Sequence, residues 1–380
     1  MGDGFVRVDS AGVSIVTSTA PLASNGWAVG EAVEFVAPVG GGAALRWVGA
    51  VVRAVRLSDG RVVVPSVATG GFDVFAPDGQ HRANVPISTP DRLRHYVVDL
   101  AVLPGDTLVA DADNREQVFL LADGTVVRRR EREISRYAAL MPDGYALGAG
   151  TTITSDIEVR RFDPLQSAPG AGRHRDRWAL AISGAQNSML RVIGWFAGRE
   201  HFHTADDLRY PAIFANNTVF AAGGNPPRIY VGDSATGSIN VYDLGGALVR
   251  ILRDSVPPPA VTPEDFAAGK TAFVNSGARI RTDHIEKLDS IMPPPAHRPA
   301  FQALAVSQDG YLFVAGYAPG GASPVVHRIY DPSGVRVGSI VLPGSFDIDQ
   351  VGDDYVLGTD YGEMFNPVVR MYSLVRPVTR

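Results

Sequence analysis

Six stretches of the 380-residue chain share one pattern of apolar and polar positions. Two or three apolar residues are followed by a small residue and then by a small or polar one. The copies read VVVPSVA from Val62, TLVADAD from Thr107, YALGAGT from Tyr145, IYVGDSA from Ile229, LFVAGYA from Leu312 and YVLGTDY from Tyr355. Their fourth residues are Pro65, Ala110, Gly148, Gly232, Ala315 and Gly358. Most copies follow a turn signal such as Asp59-Gly60, Asp143-Gly144 or Asp309-Gly310. Each copy is trailed by an alternating stretch closed by another turn: FDVFAPDGQ, EQVFLLADGTVV, EVRRFDP, INVYDLGGALV, HRIYDPSGVRV and VVRMYSL. Alternation with a period of two marks half-buried strands, and Asp-Gly, Gly-Gly and Pro-Ser-Gly are hairpin punctuation.

The repeating unit is therefore strand, turn, strand, turn, strand, with starts separated by 45, 38, 84, 83 and 43 residues. Strand repeats of this length suggest propeller blades. The expected fold is all-β: one six-bladed β-propeller over residues 1–380. Blades converge on an axis, so the small fourth residue is expected on the innermost strand, where crowding favours short side chains. The final stretch is too short for a full set of strands. The spare N-terminal strand DSAGVSIVTS is expected to close the ring by pairing with the last blade, hiding two open sheet edges.

The two long intervals hold insertions. In the first, a loop of about a dozen residues precedes WALAIS and MLRVIGWFAG, which read as outer strands of the third blade. The second predicts a helical insertion at about 262–292, between blades 4 and 5. Thr262 is a good N-cap, followed by Pro263, Glu264 and Asp265. Residues 282–291 predict a second short helix that stops before a proline run.

Composition narrows the function classes. The chain has 41 Gly and 27 Pro, which suits a turn-rich β protein, and a formal charge of −5, which argues against nucleic acid as a partner. No apolar run approaches the ~20 residues needed to span a bilayer. The absence of Cys excludes disulfides, thiolate metal sites and Cys nucleophiles. Lys occurs only at 270 and 287, so the basic residues are almost all Arg. That skew suits bidentate anion recognition, although biased codon usage explains it as well.

The stretches DSAGVSIVTS, VRLSDGRVVVPSVATGGFDVFAPDGQ, HRPAFQALAVSQDGYLFVAGY and DYVLGTDYGEMFNPVVRMYSL resemble the NHL-like six-bladed β-propeller proteins of Gemmatimonas-type and related bacteria. The resemblance spans nearly the whole chain and rests on fold motifs. The wider six-bladed class includes metal-dependent lactonases, lyases and non-catalytic binding platforms, and no catalytic set carries over residue by residue. Members usually bear an export or lipoprotein signal, which implies a periplasmic or extracellular location. The start MGDGFVRVDSAG lacks a basic n-region followed by an apolar h-region, which leaves the cytoplasm as the alternative.

Candidate chemistry falls into three groups. Arg46, Arg94 with His95 and Tyr96, Arg136, Arg209 with Tyr210, and His297 with Arg298 place arginine beside aromatic or imidazole rings just ahead of the repeat strands. At a channel mouth such a set would select a small anionic ligand or a protein partner. The competing reading pairs each Arg with an Asp of a neighbouring blade. Asp111 and Asp233 take equivalent fifth positions of the repeat, as do Ser66 and Thr359. The two aspartates could hold Ca²⁺ or another divalent cation, or simply bond backbone N–H groups. His201 and His203, with Asp206 or Asp207, have a weak metal-ligand spacing. His284 reads as a helix-surface residue, and His81, His174 and His327 as loop or edge positions. There is no G-x-S-x-G elbow and no phosphate-binding loop. The expected function is a non-catalytic binding or scaffold propeller without a required cofactor. The alternative is a metal-dependent hydrolase, lactonase or lyase.

Overall fold

The structure is a computed structural model. It describes residues 4–19, 23–35, 53–66, 71–87, 97–112, 116–131, 145–153, 157–164, 170–184, 190–206, 208–275, 281–318, 324–361 and 367–377. The hairpin β1 (Phe5–Ser10) and β2 (Val13–Ser18) precedes β3 (Ala28–Phe35). Sheet I contains β4 (Val55–Arg56), β5 (Val62–Ser66), β6 (Gly71–Phe75) and β7 (His81–Pro86). Sheet II contains β8 (Val97–Leu103), β9 (Thr107–Ala112), β10 (Glu116–Leu120) and β11 (Val126–Glu131). Sheet III contains β12 (Tyr145–Thr152), β13 (Glu158–Pro164), β14 (Gly172–Ser183), β15 (Leu190–His203) and β16 (Arg209–Pro211). Sheet IV is built on β17 (Thr218–Gly223), β18 (Arg228–Asp233), β19 (Ser238–Tyr242) and β20 (Leu248–Asp254). Sheet V contains β21 (Ala303–Val306), β22 (Leu312–Ala315), β23 (Val325–Tyr330) and β24 (Arg336–Leu342). Sheet VI contains β25 (Phe346–Val351), β26 (Tyr355–Asp360) and β27 (Val368–Val375), and β3 is its fourth strand.

The chain is thus mostly β, in antiparallel meanders. Successive sheets touch: β4 meets β8, β8 meets β12, β15 meets β17, β17 meets β21, β21 meets β25 and β25 meets β4. Sheet pairs share apolar clusters. Phe72 and Val74 of sheet I join Leu100 and Val118 of sheet II. Trp178 and Leu180 of sheet III join Ile229 and Val231 of sheet IV. Tyr230 and Leu252 of sheet IV join Phe301 and Val314 beside and within sheet V. Phe313 and Ile329 of sheet V join Phe346 and Val356 of sheet VI. Phe35 and Leu357 of sheet VI join Val62 and Phe75 of sheet I. β6, β10 and β22 are buried along their whole length, as strands covered on both faces must be.

Two expectations change. The strand that pairs with the last one is β3, residues 28–35, and not residues 9–18. The latter reach sheet IV, where β2 pairs in parallel with β20. The repeat strand is the second of its sheet in β5, β9, β18, β22 and β26, so its small residue does not reflect crowding on the first strand. In sheet III the copy β12 is the first described strand, and residues 132–144 lie outside the description. At two copies the glycine makes room for its neighbours. A Cβ on Gly232 would stand 2.9 Å from the ring of Phe301, which precedes sheet V, and one on Gly358 would collide with the Asp347 carbonyl oxygen and stand 2.6 Å from the Phe346 ring, both on the preceding strand β25.

The helical insertion forms between sheets IV and V, with α1 (Pro263–Asn275), α2 (Thr282–Ile285) and α3 (Leu288–Ile291). Thr262 Oγ1 accepts the Asp265 N–H (3.1 Å), and Asp265 Oδ2 accepts the Thr262 N–H (3.0 Å). This reciprocal cap satisfies donors at the helix start. Phe266, Leu288 and Met292 pack on Tyr210, Ile213 and Phe214, which anchors the insertion to the segment between sheets III and IV. The strands expected at WALAIS and MLRVIGWFAG form as β14 and β15, and both run farther, to 12 and 14 residues.

The ring-for-glycine fit has a measurable consequence. Gly232→Ala alone is expected to cost roughly 1–3 kcal/mol, as overpacked cores do. Combined with Phe301→Leu, its cost in urea unfolding should shrink well below the sum of the two single effects. Strict additivity would show that the two positions do not meet.

Candidate functional site

The first strands of sheets V and VI, with residues ahead of sheet I, line a cavity of about 230 Å³. Its apolar wall includes Leu304, Phe313, Phe346 and Ile348, and its polar groups are Arg53, Gln302, His327, Asp347 and Asp349. Asp347, Ile348 and Asp349 lie on β25, where a bulge interrupts the register between Ile348 and Gln350. Bulges re-aim side chains. Asp349 Oδ2 accepts the Ala54 N–H (3.0 Å) and the Thr359 hydroxyl (2.9 Å), so sheets I and VI hold this carboxylate jointly.

Burial dominates the electrostatics. It pushes the Asp349 carboxyl up to about 7, against the lowering effect of the Ala54 N–H and the Arg53 guanidinium. It raises Asp347 too, and it pushes the Tyr361 hydroxyl to about 12 with help from Asp347 and Asp349. The His327 imidazole falls to about 4 and is neutral at pH 7. Arg53 stands 3.5 Å from Asp99 on β8. Burial lifts Asp99 to about 6, with Arg53 opposing and Asp111 adding to the rise. Beyond it, Arg160 is buried between Asp111 (2.5 Å) and Glu158 (2.8 Å). A line of charged groups therefore runs from Asp349 of sheet VI past Arg53 to Asp99 and Asp111 of sheet II and on to Arg160 and Glu158 of sheet III. Its carboxylates have partners at one end and are proton-exchanging near neutral pH at the other.

The residues expected at the mouth are placed as follows. Arg46, Arg94, His95, Tyr96 and Arg136 lie outside the described residues. Arg209 pairs with Asp176 (2.6 Å) and contacts the His201 ring, while Tyr210 is buried and shares a hydrogen bond with His284 (3.0 Å). Arg298 forms an ion pair with Asp265 on α1 and holds that carboxyl down at about 2. His297 Nδ1 lies 3.2 Å from the Pro258 carbonyl. Arg209 and Arg298 thus have carboxylate partners, but these lie in the same sheet III and on α1, not on a neighbouring blade as the competing reading had it. Asp111 and Asp233 do not converge, for Asp233 pairs with Arg175 (2.9 Å) and bonds the Ala235 N–H of its own turn. His203 is buried against the edge of His174, with ring centroids 5.5 Å apart. His201 instead faces Asp176 and Arg209, and burial and Arg209 lower its pKa. Among the described residues no cluster of three His, Asp or Glu side chains could hold a metal ion.

Two histidines depart from expectation. His284 is buried under Tyr210 and is not a helix-surface residue. His327 is buried on β23 and lines the cavity, away from any loop. The sequence signal that could have found the cavity is the FDIDQV strand, which carries aspartates at 347 and 349.

No family model matches the chain, and no curated protein matches it in sequence. Among solved structures, a member of the DUF4221 family from Bacteroides vulgatus is similar over 92% of this chain and 98% of its own, with a TM-score of 0.50 at 11% identity. The calcium-binding protein regucalcin from Agrobacterium tumefaciens covers 86% of this chain and 92% of its own (TM-score 0.41, 10% identity). Virginiamycin B lyase from Staphylococcus aureus covers 86% and 95% (TM-score 0.39, 9% identity). These are propeller-type proteins, and the first supports a propeller-like all-β fold for this chain. The likeness extends to fold alone. No helix among the described residues is long and apolar enough to cross a membrane.

The raised Asp349 pKa makes stability depend on pH. Between about pH 4 and 7 the folded protein keeps a proton there that the unfolded chain, with its ordinary value of 3.8, releases. This contribution is fully present below pH 4 and is lost as pH rises through 7. Asp349→Asn should therefore be more stable than wild type at pH 8, by roughly 1–2 kcal/mol after allowance for partial exposure. The gap in urea unfolding should close toward pH 4.

Proposed function

We propose that residues 1–380 form one six-bladed β-propeller of the NHL-like kind, with sheets I–VI as blades and Ala28–Phe35 completing the last. The cyclic order of contacts between sheets supports this reading, as does the pairing of β3 with β27. The cavity then lies at the axis, where first strands converge.

Its function is acid–base chemistry on a small polar molecule held in that cavity. The observation that carries this reading is the Asp349 carboxyl, pushed up to about 7 in a 230 Å³ cavity and oriented by the Ala54 N–H and Thr359. A group with a pKa near the working pH can both accept and return a proton. Arg53 offers positive charge against which a developing oxyanion is stabilised, and the Phe313 and Phe346 walls keep the environment poorly hydrated. Proton abstraction with elimination and ring-opening hydrolysis both need this combination. The scaffold reading expected from the sequence needs free arginines at the mouth, and Arg209 and Arg298 already have carboxylate partners. A resident divalent cation fits less well, because Asp347 and Asp349 are only two carboxylates and Arg53 stands beside them.

A panel of lactones, esters and elimination substrates tests the reading. With an active substrate, Asp349→Asn should lower kcat about 10²–10⁴-fold, and the wild-type rate should show an inflection near pH 7. Full activity in Asp349→Asn would overturn the assignment.

A further inference from the structure

The β1–β2 hairpin extends sheet IV from four strands to six. β2 pairs in parallel with β20, and β1 is the last strand of the six-stranded sheet. Ala11 (φ 50°) and Gly12 (φ 82°) form the two-residue turn, in the left-handed conformation such hairpins need. β1 is exposed from Val6 to Ser10, and Val6 and Val8 keep 53% and 54% of their surface in solvent. They share a face with half-buried Ile15, the cross-strand partner of Val8. An open edge strand with an apolar stripe is a surface that folded proteins ordinarily cover or blunt.

The hydrogen-bond parity of the edge is fixed. Gly4 O accepts the Thr19 N–H (2.9 Å). Alternation along an antiparallel ladder then points the backbone groups of Val6, Val8 and Ser10 at β2, and those of Phe5, Arg7 and Asp9 outward. The sequence FVRVDS is self-complementary in that frame. With Val8 at the centre, Arg7 falls opposite the Asp9 position of a second, antiparallel copy, on the face opposite the valines. Asp9 is exposed and has no ion-pair partner among the described residues. Arg7 is steered on its face by a hydrogen bond to the Ser333 carbonyl (3.1 Å).

We infer that β1 is a homodimer interface, pairing antiparallel with β1 of a second copy about a two-fold axis at Val8. Arg7 and the partner's Asp9 exchange both backbone hydrogen bonds and form an ion pair, twice over by symmetry. Val8 and the partner's Val8 form the close, non-hydrogen-bonded pair and join the two apolar stripes. Centring the axis on Arg7 would oppose like charges, so the charges select the register.

Sedimentation velocity across a concentration series, with Arg7→Asp, Asp9→Arg and the double variant, tests this. Each single change opposes like charges and should weaken dimerisation about tenfold or more, and the double change should restore it. Val8→Cys adds the sole thiol to a chain that has no Cys. At the axis it should yield a disulfide-linked dimer under mild oxidation, since non-hydrogen-bonded pairs bring Cα atoms within disulfide reach. It also keeps the test decisive if a charge variant fails to fold. A wild type that stays monomeric at every concentration, a double variant no better than the singles, or a Val8→Cys protein that never cross-links would overturn the interface.

Discussion

Each sheet of this protein has two apolar faces, and no sheet can bury both by itself. Phe72 and Phe75 on β6 pack in opposite directions, toward sheet II and toward sheet VI. Phe313 and Val314 on β22 do the same toward sheets VI and IV. Burial of apolar area, at roughly 25 cal/mol per Å², drives the sheets face to face. Stacking leaves the first strands of sheets V and VI in contact and partly buries what they carry.

That packing sets the environment of the aspartates the strands carry. Asp347 and Asp349 sit on a strand whose ends, Phe346 and Val351, feed the core between sheets V and VI, and Asp349 is half-buried beside them while Asp347 keeps its contact with solvent. Where the sheets leave polar groups inside, two outcomes are seen. Arg160 is compensated by Asp111 and Glu158 and is inert, a buried charge that must be paired. Asp349 receives one N–H and one hydroxyl and has no direct ion pair among the described residues, and its proton stays within reach of neutral pH. The difference between scaffold and chemistry lies in that compensation.

The strand repeat was legible because it rests on local rules: period-two alternation and turns such as Asp123-Gly124, where Gly124 takes a φ of 88°. The helical insertion was legible from Thr262 and Pro263 for the same reason. The choice of β3 for the last sheet was not. AVGEAVEF alternates poorly and is largely exposed, so its place is set by the open edge of β27 and not by its own pattern. The site was legible in part. Arg209 and Arg298 looked available because their partners, Asp176 and Asp265, are 33 residues away in each case and only the fold brings them together. Asp349 and His327 carry no motif, and their character comes entirely from burial.

Burial beside the cavity holds the Asp349 proton near neutrality. Carbon-13 NMR of aspartate-labelled protein, with the resonance assigned by comparison with Asp349→Asn, measures this directly. The account predicts a midpoint near 7. A midpoint near 3.8, the value of an ordinary aspartate, would contradict it.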